Sequence, residues 1–395
     1  MCTFRDPESK WEPPAEAIGP SAIRKVFSLM PKVVPTTRLD ALDGWRTIAV
    51  LLVILQHIAK GALHVAVPAA NAIIGDFGEL GVNIFFVISG YVICSALLKE
   101  FENRGTISLI AFYIRRCFRI LPPLWCYLVV IAILSRAGLI GTPVTQQMKA
   151  AAFLCNLPIA IDSHWQAAHT CSSWQVAHTW SLAFEEQFYI LFPITFLFVS
   201  PRRRNIFLGF FLMLPVIIVL CFLSKELFLA EYLTRFQFLS AGVVTALFAD
   251  DIRPYLRKLS PLIIYLFIVA FFTIHRLPYS RSTNMLRILA SAPLIGIVLS
   301  YTSHVPCAAK DILSYPAMRF IGRISYGIYL WQQLALGYYE GAGVLFYTVA
   351  VALAAVVCVA SFFWIEQPLI SLGARLSKAQ IARESTARLV PEPEL

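Results

Sequence analysis

The sequence has few charged residues for its length. Asp, Glu, Lys and Arg make up 14% of its 395 residues, while 58% of the residues are hydrophobic. A soluble domain normally carries about 25% charged residues, so this composition excludes an ordinary water-soluble enzyme. Residues 1–37 also lack an apolar stretch followed by a small-residue cleavage site. We therefore expect the first apolar segment to be an uncleaved signal-anchor.

Metal-binding and repeat patterns are absent as well. The nine cysteines form no Cys-x-x-Cys pair, and the sequence has neither an internal repeat nor a low-complexity block. The loop 139–178 holds His164, His169 and His178. Their spacing fits no standard zinc pattern, so we expect no metal site. Cys155 and Cys171 share this loop, and a disulfide between them is an open alternative.

What the sequence does have is apolar segments of bilayer length. Blocks of about 17–22 residues match the roughly 20 residues that a membrane-spanning helix needs. We predict an all-α fold, a polytopic membrane helix bundle of about ten transmembrane helices. The predicted spans lie near 46–66, 81–98, 120–138, 179–199, 206–224, 235–249, 260–275, 285–302, 320–338 and 344–365. A further apolar stretch, 150–161, is too short to span and is expected to be re-entrant or interfacial.

The basic residues are distributed unevenly. A net charge of +10 can indicate a nucleic-acid partner, but roughly 24 of the 33 Lys and Arg residues fall on one side of the predicted spans. This positive-inside pattern explains the charge without nucleic acid and predicts that both termini are cytoplasmic. We divide the chain into a cytoplasmic tail (1–37), a membrane domain (38–370) and a second cytoplasmic tail (371–395), and expect both tails to be disordered or interfacial.

One arginine and one histidine lie on the same face of the first predicted membrane helix. Arg46 and His57 are eleven positions apart, which brings them to nearly the same direction about 16 Å apart along a helix. Ionisable side chains in a span are costly and indicate function. Asp43 is at the i,i+3 position from Arg46 and can pair with it. Taken by itself, His57 is equally compatible with a polar residue satisfied inside the bundle.

Three arginines precede a Pro-Pro pair at the predicted start of the third span. Arg115, Arg116 and Arg119 have two interpretations. They are either cytoplasmic anchors of the ordinary positive-inside kind or a clamp for phosphate groups, which guanidinium groups bind in a bidentate manner. Arg116 and Arg119 project together if this stretch is helical.

Two other spans carry polar residues. Glu185 and Tyr189 are at i,i+4 where the fourth span begins, and Ser181 shares their face. Such a group is costly in a membrane and favours a site over packing. In the second span, small residues favour close helix packing, with Asn83 and Ser89 lining a cavity as the alternative.

Six motifs follow one another in a distinctive order. They are Asp43-Gly-Trp-Arg46 with ten residues to His57, Phe85-Phe-Val-Ile-Ser-Gly90, Arg115-Arg116-x-x-Arg119-Ile-x-Pro122, Trp180-Ser-Leu-x-x-Glu185-x-Gln187-Phe-Tyr189, Ser325-Tyr326-x-x-Tyr329-Leu-Trp331 and Glu366-x-Pro368. Each motif is only moderately specific. Together, over about residues 38–370, the set resembles the acyltransferase-3 family of integral membrane acyltransferases.

The resemblance implies an activity and a location. It implies an enzyme that transfers an acyl group, usually acetyl, from acyl-CoA to a hydroxyl of a sugar, glycolipid, polysaccharide, lipopolysaccharide or macrolide. The enzyme would sit in a bacterial cytoplasmic (inner) membrane, in contact with lipid, and acetyl-CoA would be a co-substrate with no cofactor bound. Nothing in the sequence indicates an oligomeric state.

The resemblance also implies roles for particular residues. Arg46 and His57 would be essential, and Arg116 and Arg119, with Arg115 beside them, would hold the donor. We expect His57 to act as a general base, with a covalent acyl-His as the alternative. Glu185 would meet His57 within the membrane and orient the acceptor or the imidazole. The residues expected to contact substrate are Ser89, Trp180, Ser181, Tyr189 and Tyr326.

The sequence departs from the family pattern at two positions. Trp45 stands where leucine is more usual, and Gln332 stands where histidine is common. Some relatives carry a C-terminal extracytoplasmic hydrolase-like domain, which we expect to be absent here. The competing function is a transporter of lipid-linked sugars, although we find no inverted repeat of the kind many transporters have. A non-catalytic scaffold would have no need for Arg46, His57 and Glu185 inside the membrane.

Overall fold

The structure, a computed structural model, is helical throughout the part of the chain that it describes. It describes residues 40–60, 77–157, 171–199, 201–277, 281–337 and 343–389. Those ranges contain no β-strand, which confirms the predicted all-α fold. The helices are α1 (Asp40–Lys60), α2 (Phe77–Arg104), α3 (Leu109–Arg136), α4 (Val144–Ala151), α5 (Trp174–Ala177), α6 (Thr179–Val199), α7 (Arg204–Leu223), α8 (Leu227–Leu247), α9 (Ala249–Leu256), α10 (Pro261–Arg276), α11 (Arg281–His304), α12 (Ala308–Leu313), α13 (Pro316–Arg323), α14 (Ser325–Ala335), α15 (Val344–Ser361) and α16 (Gln367–Leu389).

The number of spans differs from the prediction. Among the described residues, six helices are long and apolar enough to cross a membrane, and a seventh is obtained if α8 and α9, bent by 79°, count as one span. These helices, together with the family established below, make the chain an integral membrane protein. The count of ten is not confirmed.

Three predicted spans remain: 285–302 lies within the continuous 24-residue α11, which is not among the six, and the other two correspond to a shorter helix and an interrupted one. The segment 260–275 forms α10, whose apolar part, Pro261–Ile274, falls short of a full span. The segment 320–338 is divided between α13 and α14, which meet at Ile324. Apolar composition does not reveal such breaks, because a broken helix and a continuous one can have the same mean hydropathy.

The centre of the bundle is the contact of α2 with α1 and α8. At the crossing of α2 and α8, the backbones meet at Gly90 and Gly242. A Cβ added to Gly90 would collide with the carbonyl oxygen of Leu239, and one added to Gly242 would collide with that of Val87. Small residues permit this approach, as the pattern in the second span predicted. The crossing holds the polar face of α2 against its neighbours.

The third helix begins earlier than predicted. Ser108 caps α3 by accepting a hydrogen bond from the amide of Ala111 (3.2 Å), and the helix then continues through Pro122 and Pro123 to Arg136. We had placed the start of this span at the prolines. The three arginines therefore lie inside a regular helix rather than in a loop before it.

The C-terminal stretch is also more ordered than predicted. Residues 367–389 form α16, which packs along α3. A hydrogen bond joins Arg115 Nη1 to Ser377 Oγ (2.6 Å), and Ser108 Oγ donates to Glu384 (2.6 Å). Residues 367–389 are therefore not disordered, and the interfacial alternative for this tail stays a prediction. The N-terminal tail and residues 390–395 lie outside the described residues.

Two cysteines close the loop after α4. Cys155 and Cys171 form a disulfide, which decides the alternative that the sequence left open. The residues between them from 158 to 170, including His164 and His169, lie outside the described residues. The side-chain oxygen of Gln146 accepts a hydrogen bond from the amide of Ser173 (2.7 Å), two residues after Cys171. This bond ties α4 to the end of the loop.

Candidate active site

Two neighbouring cavities lie between the helices that carry the sequence motifs. The first, of about 80 Å³, we call the arginine cavity. It is lined by Arg46, Val82, Phe85, Phe86, Ser89, Arg116, Arg119, Ile120, Ser181, Leu182, Glu185, Glu186, Tyr189, Ser325, Tyr326 and Tyr329. The second, of about 300 Å³, we call the histidine cavity. It is lined by Val53, Gln56, His57, Gly78, Glu79, Val82, Trp174, Ala177, His178, Trp180, Arg235, Tyr329 and Gln333.

Three guanidinium groups converge on the arginine cavity. Arg46 comes from α1, and Arg116 and Arg119 come from successive turns of α3, as their spacing predicted. Arg116 lies over the rings of Phe112 and Tyr189, at 5.5 and 5.3 Å from the ring centroids. Within the described part of the chain, none of the three arginines is in an ion pair, so their charge is available to an anionic ligand.

Two other charged residues lie elsewhere than expected. Arg115 is not part of the cavity wall, because it pairs with Glu100 (3.1 Å) beside the C-terminal helix. The carboxylate of Asp43, which is fully buried, pairs with Arg323 from α13 (3.4 Å) rather than with Arg46. Arg46 is thereby left to face the cavity.

The arginine cavity is also lined by hydroxyl and carboxylate groups from α2 and α6. Ser89 Oγ donates to Glu185 Oε1 (2.7 Å), and Tyr189 donates to Glu185 Oε2 (3.3 Å). Glu186 lines the cavity beside Glu185. Tyr326 is held by a hydrogen bond to the carbonyl of Ile120 (2.9 Å). The shared face predicted for α6 is therefore present, and Ser89 is a cavity residue as well as a packing residue.

His57 lines the second cavity and lies eleven residues along α1 from Arg46. Its Nδ1 lies 2.7 Å from Oε1 of Gln332, and the ring of Trp174 meets it edge-on at 5.2 Å between centroids. Trp180, which the sequence placed among substrate contacts, forms another part of this wall. The two tryptophans give the histidine cavity apolar surface next to the imidazole.

Arg235 is the main residue of this cavity that the sequence analysis missed. Only 7% of it is exposed, and it donates to Glu79 (2.9 Å) and Asn83 (3.2 Å) while lying 5.1 Å above the ring of Trp180. Glu231 adds a second carboxylate at 3.6 Å. The sequence did contain a signal for Arg235, because it is a charged residue at the start of the predicted span 235–249.

A thin wall separates the two cavities. Val82 and Tyr329 line both of them. The hydroxyl of Tyr329 is 2.6 Å from Ser181 Oγ and donates to the carbonyl of His178 (3.0 Å). A ligand that reached from the arginines to His57 would have to pass these two side chains.

Glu185 and His57 do not share a cavity. The structure puts Glu185 with the arginines and His57 on the other side of Tyr329. We had expected the two to meet, because their depths from opposite membrane boundaries were compatible. Depth along a helix does not determine the direction in which a side chain faces, and here that direction separates them.

The comparison with known proteins agrees with the motifs. A family model described as an acyltransferase domain, that of the acyltransferase-3 family, matches residues 39–366. The chain belongs to this family. A Staphylococcus aureus (strain COL) protein, provisionally named an O-acetyltransferase, is 30% identical over 84% of this chain and 57% of its own length. The O-acetyltransferase OatA of Staphylococcus aureus (strain NCTC 8325 / PS 47) is 29% identical over 94% of this chain and 64% of its own.

These relatives are longer proteins. The chain spans less than two thirds of the length of either of them. No solved structure matches the chain significantly. The geometry of the two cavities is therefore the basis for assigning roles to individual residues of this family member.

Proposed function

We propose that this chain transfers an acetyl or other short acyl group from acyl-CoA to a hydroxyl group of a carbohydrate-containing acceptor. The observation that carries the proposal is the pairing of a cationic cavity with a histidine cavity across one shared wall. The arginine cavity suits a donor that carries phosphate groups, and the histidine cavity suits proton transfer from an acceptor hydroxyl to His57. Membership of the acyltransferase family supports the reaction class.

The donor end is argued from charge. Acyl-CoA carries several phosphates, which bind guanidinium groups through short, charge-assisted hydrogen bonds. Arg116 and Arg119 would hold these phosphates, and Arg46 would lie nearer the thioester of the bound donor. The narrow pantetheine arm would extend past Val82 and Tyr329 towards His57.

The acceptor end is argued from volume and polarity. A cavity of about 300 Å³ is within the usual range for small-molecule sites, which combine apolar walls with a few polar groups. Trp174 and Trp180 supply the apolar walls, and Glu79 and Gln333 supply polar groups. A sugar ring of a polysaccharide, lipopolysaccharide, glycolipid or macrolide has matching apolar faces and hydroxyl edges.

The reaction at His57 would be general-base catalysis. The acceptor oxygen forms a bond to the carbonyl carbon of the thioester as its proton passes to the imidazole. The carbon–sulfur bond then breaks, and the imidazolium returns the proton to the departing CoA sulfur. Atoms and charge balance without a cofactor.

The donor half of the proposal is tested by turnover of acetyl-CoA. Protein purified into lipid nanodiscs is expected to release free CoA thiol from acetyl-CoA, slowly with water alone and faster with a suitable acceptor. A transporter of lipid-linked sugars would release none. Mass spectrometry of surface glycans and secreted metabolites from a deletion strain, read for the loss of an acetyl mass, would identify the acceptor.

The orientation in the membrane is part of the proposal. The positive-inside pattern supports a cytoplasmic face at Arg202, Arg203 and Arg204. The disulfide between Cys155 and Cys171 supports an outer location for their loop, because disulfides persist in oxidising compartments. Both features favour a bacterial cytoplasmic membrane with CoA supplied from the cytoplasm.

Reporter fusions test this orientation. At Arg203, we expect activity from a reporter that works only in the cytoplasm. At His164, we expect activity from a reporter that works only after export. The reason is that the lysine and arginine bias retains one set of loops inside. The reverse result at both positions would place the arginine cavity away from the CoA pool and refute the donor route.

A further inference from the structure

Gln332 contacts the imidazole of His57 directly. It lies on α14 with 5% of its surface exposed, and its Oε1 is 2.7 Å from Nδ1 of His57. A glutamine amide has one end that accepts and one that donates. The orientation of this amide therefore decides which nitrogen of the imidazole carries hydrogen.

Neighbouring acceptors determine that orientation. The Nε2 end of Gln332 faces the carbonyl oxygen of Tyr329 (3.4 Å) and Oε1 of Gln333 (3.2 Å). Both are acceptors, so turning the amide over would set its oxygen against two other oxygens. With Oε1 directed at His57, Nδ1 must donate, and in the neutral imidazole the lone pair is then on Nε2.

The next residue holds this arrangement in place. Gln333 Nε2 donates to the backbone carbonyl of Trp174 (2.7 Å), and Trp174 Nε1 donates to the backbone carbonyl of Gln333 (2.7 Å). Because its Nε2 is engaged there, Gln333 keeps its oxygen turned towards Gln332. The same tryptophan packs its ring edge-on against His57. A chain of hydrogen bonds thus runs from α5 through both glutamines to the imidazole.

We propose that Gln332 is a positioning residue that fixes His57 as the Nδ1–H tautomer and so presents Nε2 as the base. The proposal rests on the assignment of His57 in the function proposed above. When His57 takes the acceptor proton at Nε2, the Gln332 oxygen continues to accept from Nδ1–H. The partner therefore serves the neutral and the protonated imidazole without changing its own orientation.

Nitrogen-15 NMR tests the tautomer independently of activity. In ¹⁵N-histidine-labelled protein in nanodiscs, the His57 signals are assigned by their loss in His57→Gln. At a pH where His57 is neutral, we expect a protonated Nδ1 and an unprotonated Nε2. A wild-type spectrum with the proton on Nε2 overturns the proposal, and this result does not depend on whether the Gln332 variants fold.

Steady-state kinetics provides the second test. The assay measures hydrolysis of acetyl-CoA, in which water takes the place of the acceptor. Gln332→Leu is expected to lower kcat about 10–100-fold, the typical effect of removing the outer partner of a metal-bound histidine, with KM for acetyl-CoA unchanged. Gln332→Glu keeps an accepting oxygen and is expected to recover most of that loss. Activity of Gln332→Leu within twofold of wild type overturns the proposal, as does equal impairment of the two variants.

Gln147→Leu is the matched control. It removes another buried glutamine, whose amide donates to the carbonyl of Thr142 (2.9 Å) and which lines neither cavity. We expect wild-type kcat from this variant, because His57 keeps its partner. Failure of the proposed function is distinguishable: wild-type activity of His57→Ala would refute the base assignment, while the NMR result would still report the tautomer that Gln332 sets.

Discussion

Replacing His57 with alanine is expected to lower the rate of acyl transfer by about 10²–10⁴-fold, the usual contribution of a general base. His178 also lines the larger cavity, but its ring is buried against Tyr127 and Tyr329, so it cannot take the place of His57 without rearrangement. The measurement is release of CoA thiol from acetyl-CoA by protein in nanodiscs. Insertion and yield are expected to stay near normal, because one half-buried side chain is removed from a large bundle.

The control for this variant is His304→Ala. His304 is also half-buried, but it lies at the end of α11 against Tyr91 (3.3 Å) and lines neither cavity. It is expected to keep wild-type turnover. Activity of His57→Ala within threefold of wild type, with both proteins equally well inserted, would end the general-base assignment.

Removing both Arg116 and Arg119 is expected to weaken binding of acetyl-CoA by roughly 10²-fold or more. Each lost charge-assisted contact to phosphate is worth about 1.5–3 kcal/mol, and each 1.4 kcal/mol corresponds to a factor of ten in the dissociation constant. The Arg116→Ala, Arg119→Ala double variant is measured by calorimetry in detergent or nanodiscs. Binding of the acceptor should change much less, because the arginines lie on the far side of Tyr329.

Arg115→Ala is the matched control for the arginine pair. It removes the same side chain from the adjacent position of the same helix, but Arg115 pairs with Glu100 and Ser377 outside the cavity. We expect its dissociation constant for acetyl-CoA to stay within about twofold of wild type, since no phosphate contact is lost. Equal weakening by Arg115→Ala and by the double variant would mean that general positive charge, not the cavity, attracts the donor.

Much of the candidate site was predictable because membrane helices constrain where polar residues can be. Arg46, Arg116 and Arg119 were each identified from a charged residue in an apolar setting and a helical spacing. Their convergence on one cavity depends on where the bundle places α1 and α3. Ser181, Glu185 and Tyr189 were grouped for the same reason, and the structure keeps them on one face.

The pairings were not predictable, because they depend on which helices become neighbours. Asp43 was assigned to Arg46 as its nearest neighbour in sequence, yet α13 brings Arg323 to it. Gln332 was noted only as a departure from a family pattern, and its contact with His57 joins residues 275 positions apart. Arg235 went unnoticed because Glu79 and Trp180, which surround it, come from two other helices.

The sequence by itself determined that this chain is an all-α membrane protein of the acyltransferase-3 family, since apolar length, charge asymmetry and motif order are properties of the linear chain. The tertiary structure decided how many helices are continuous and that the polar residues divide between two cavities. It also decided that Glu185 lies with the arginines while His57 lies with Gln332. The physical reason is that a helical period tells which residues share a face, whereas the partner of each face is set by packing contacts, such as the crossing at Gly90 and Gly242, that join distant parts of the chain.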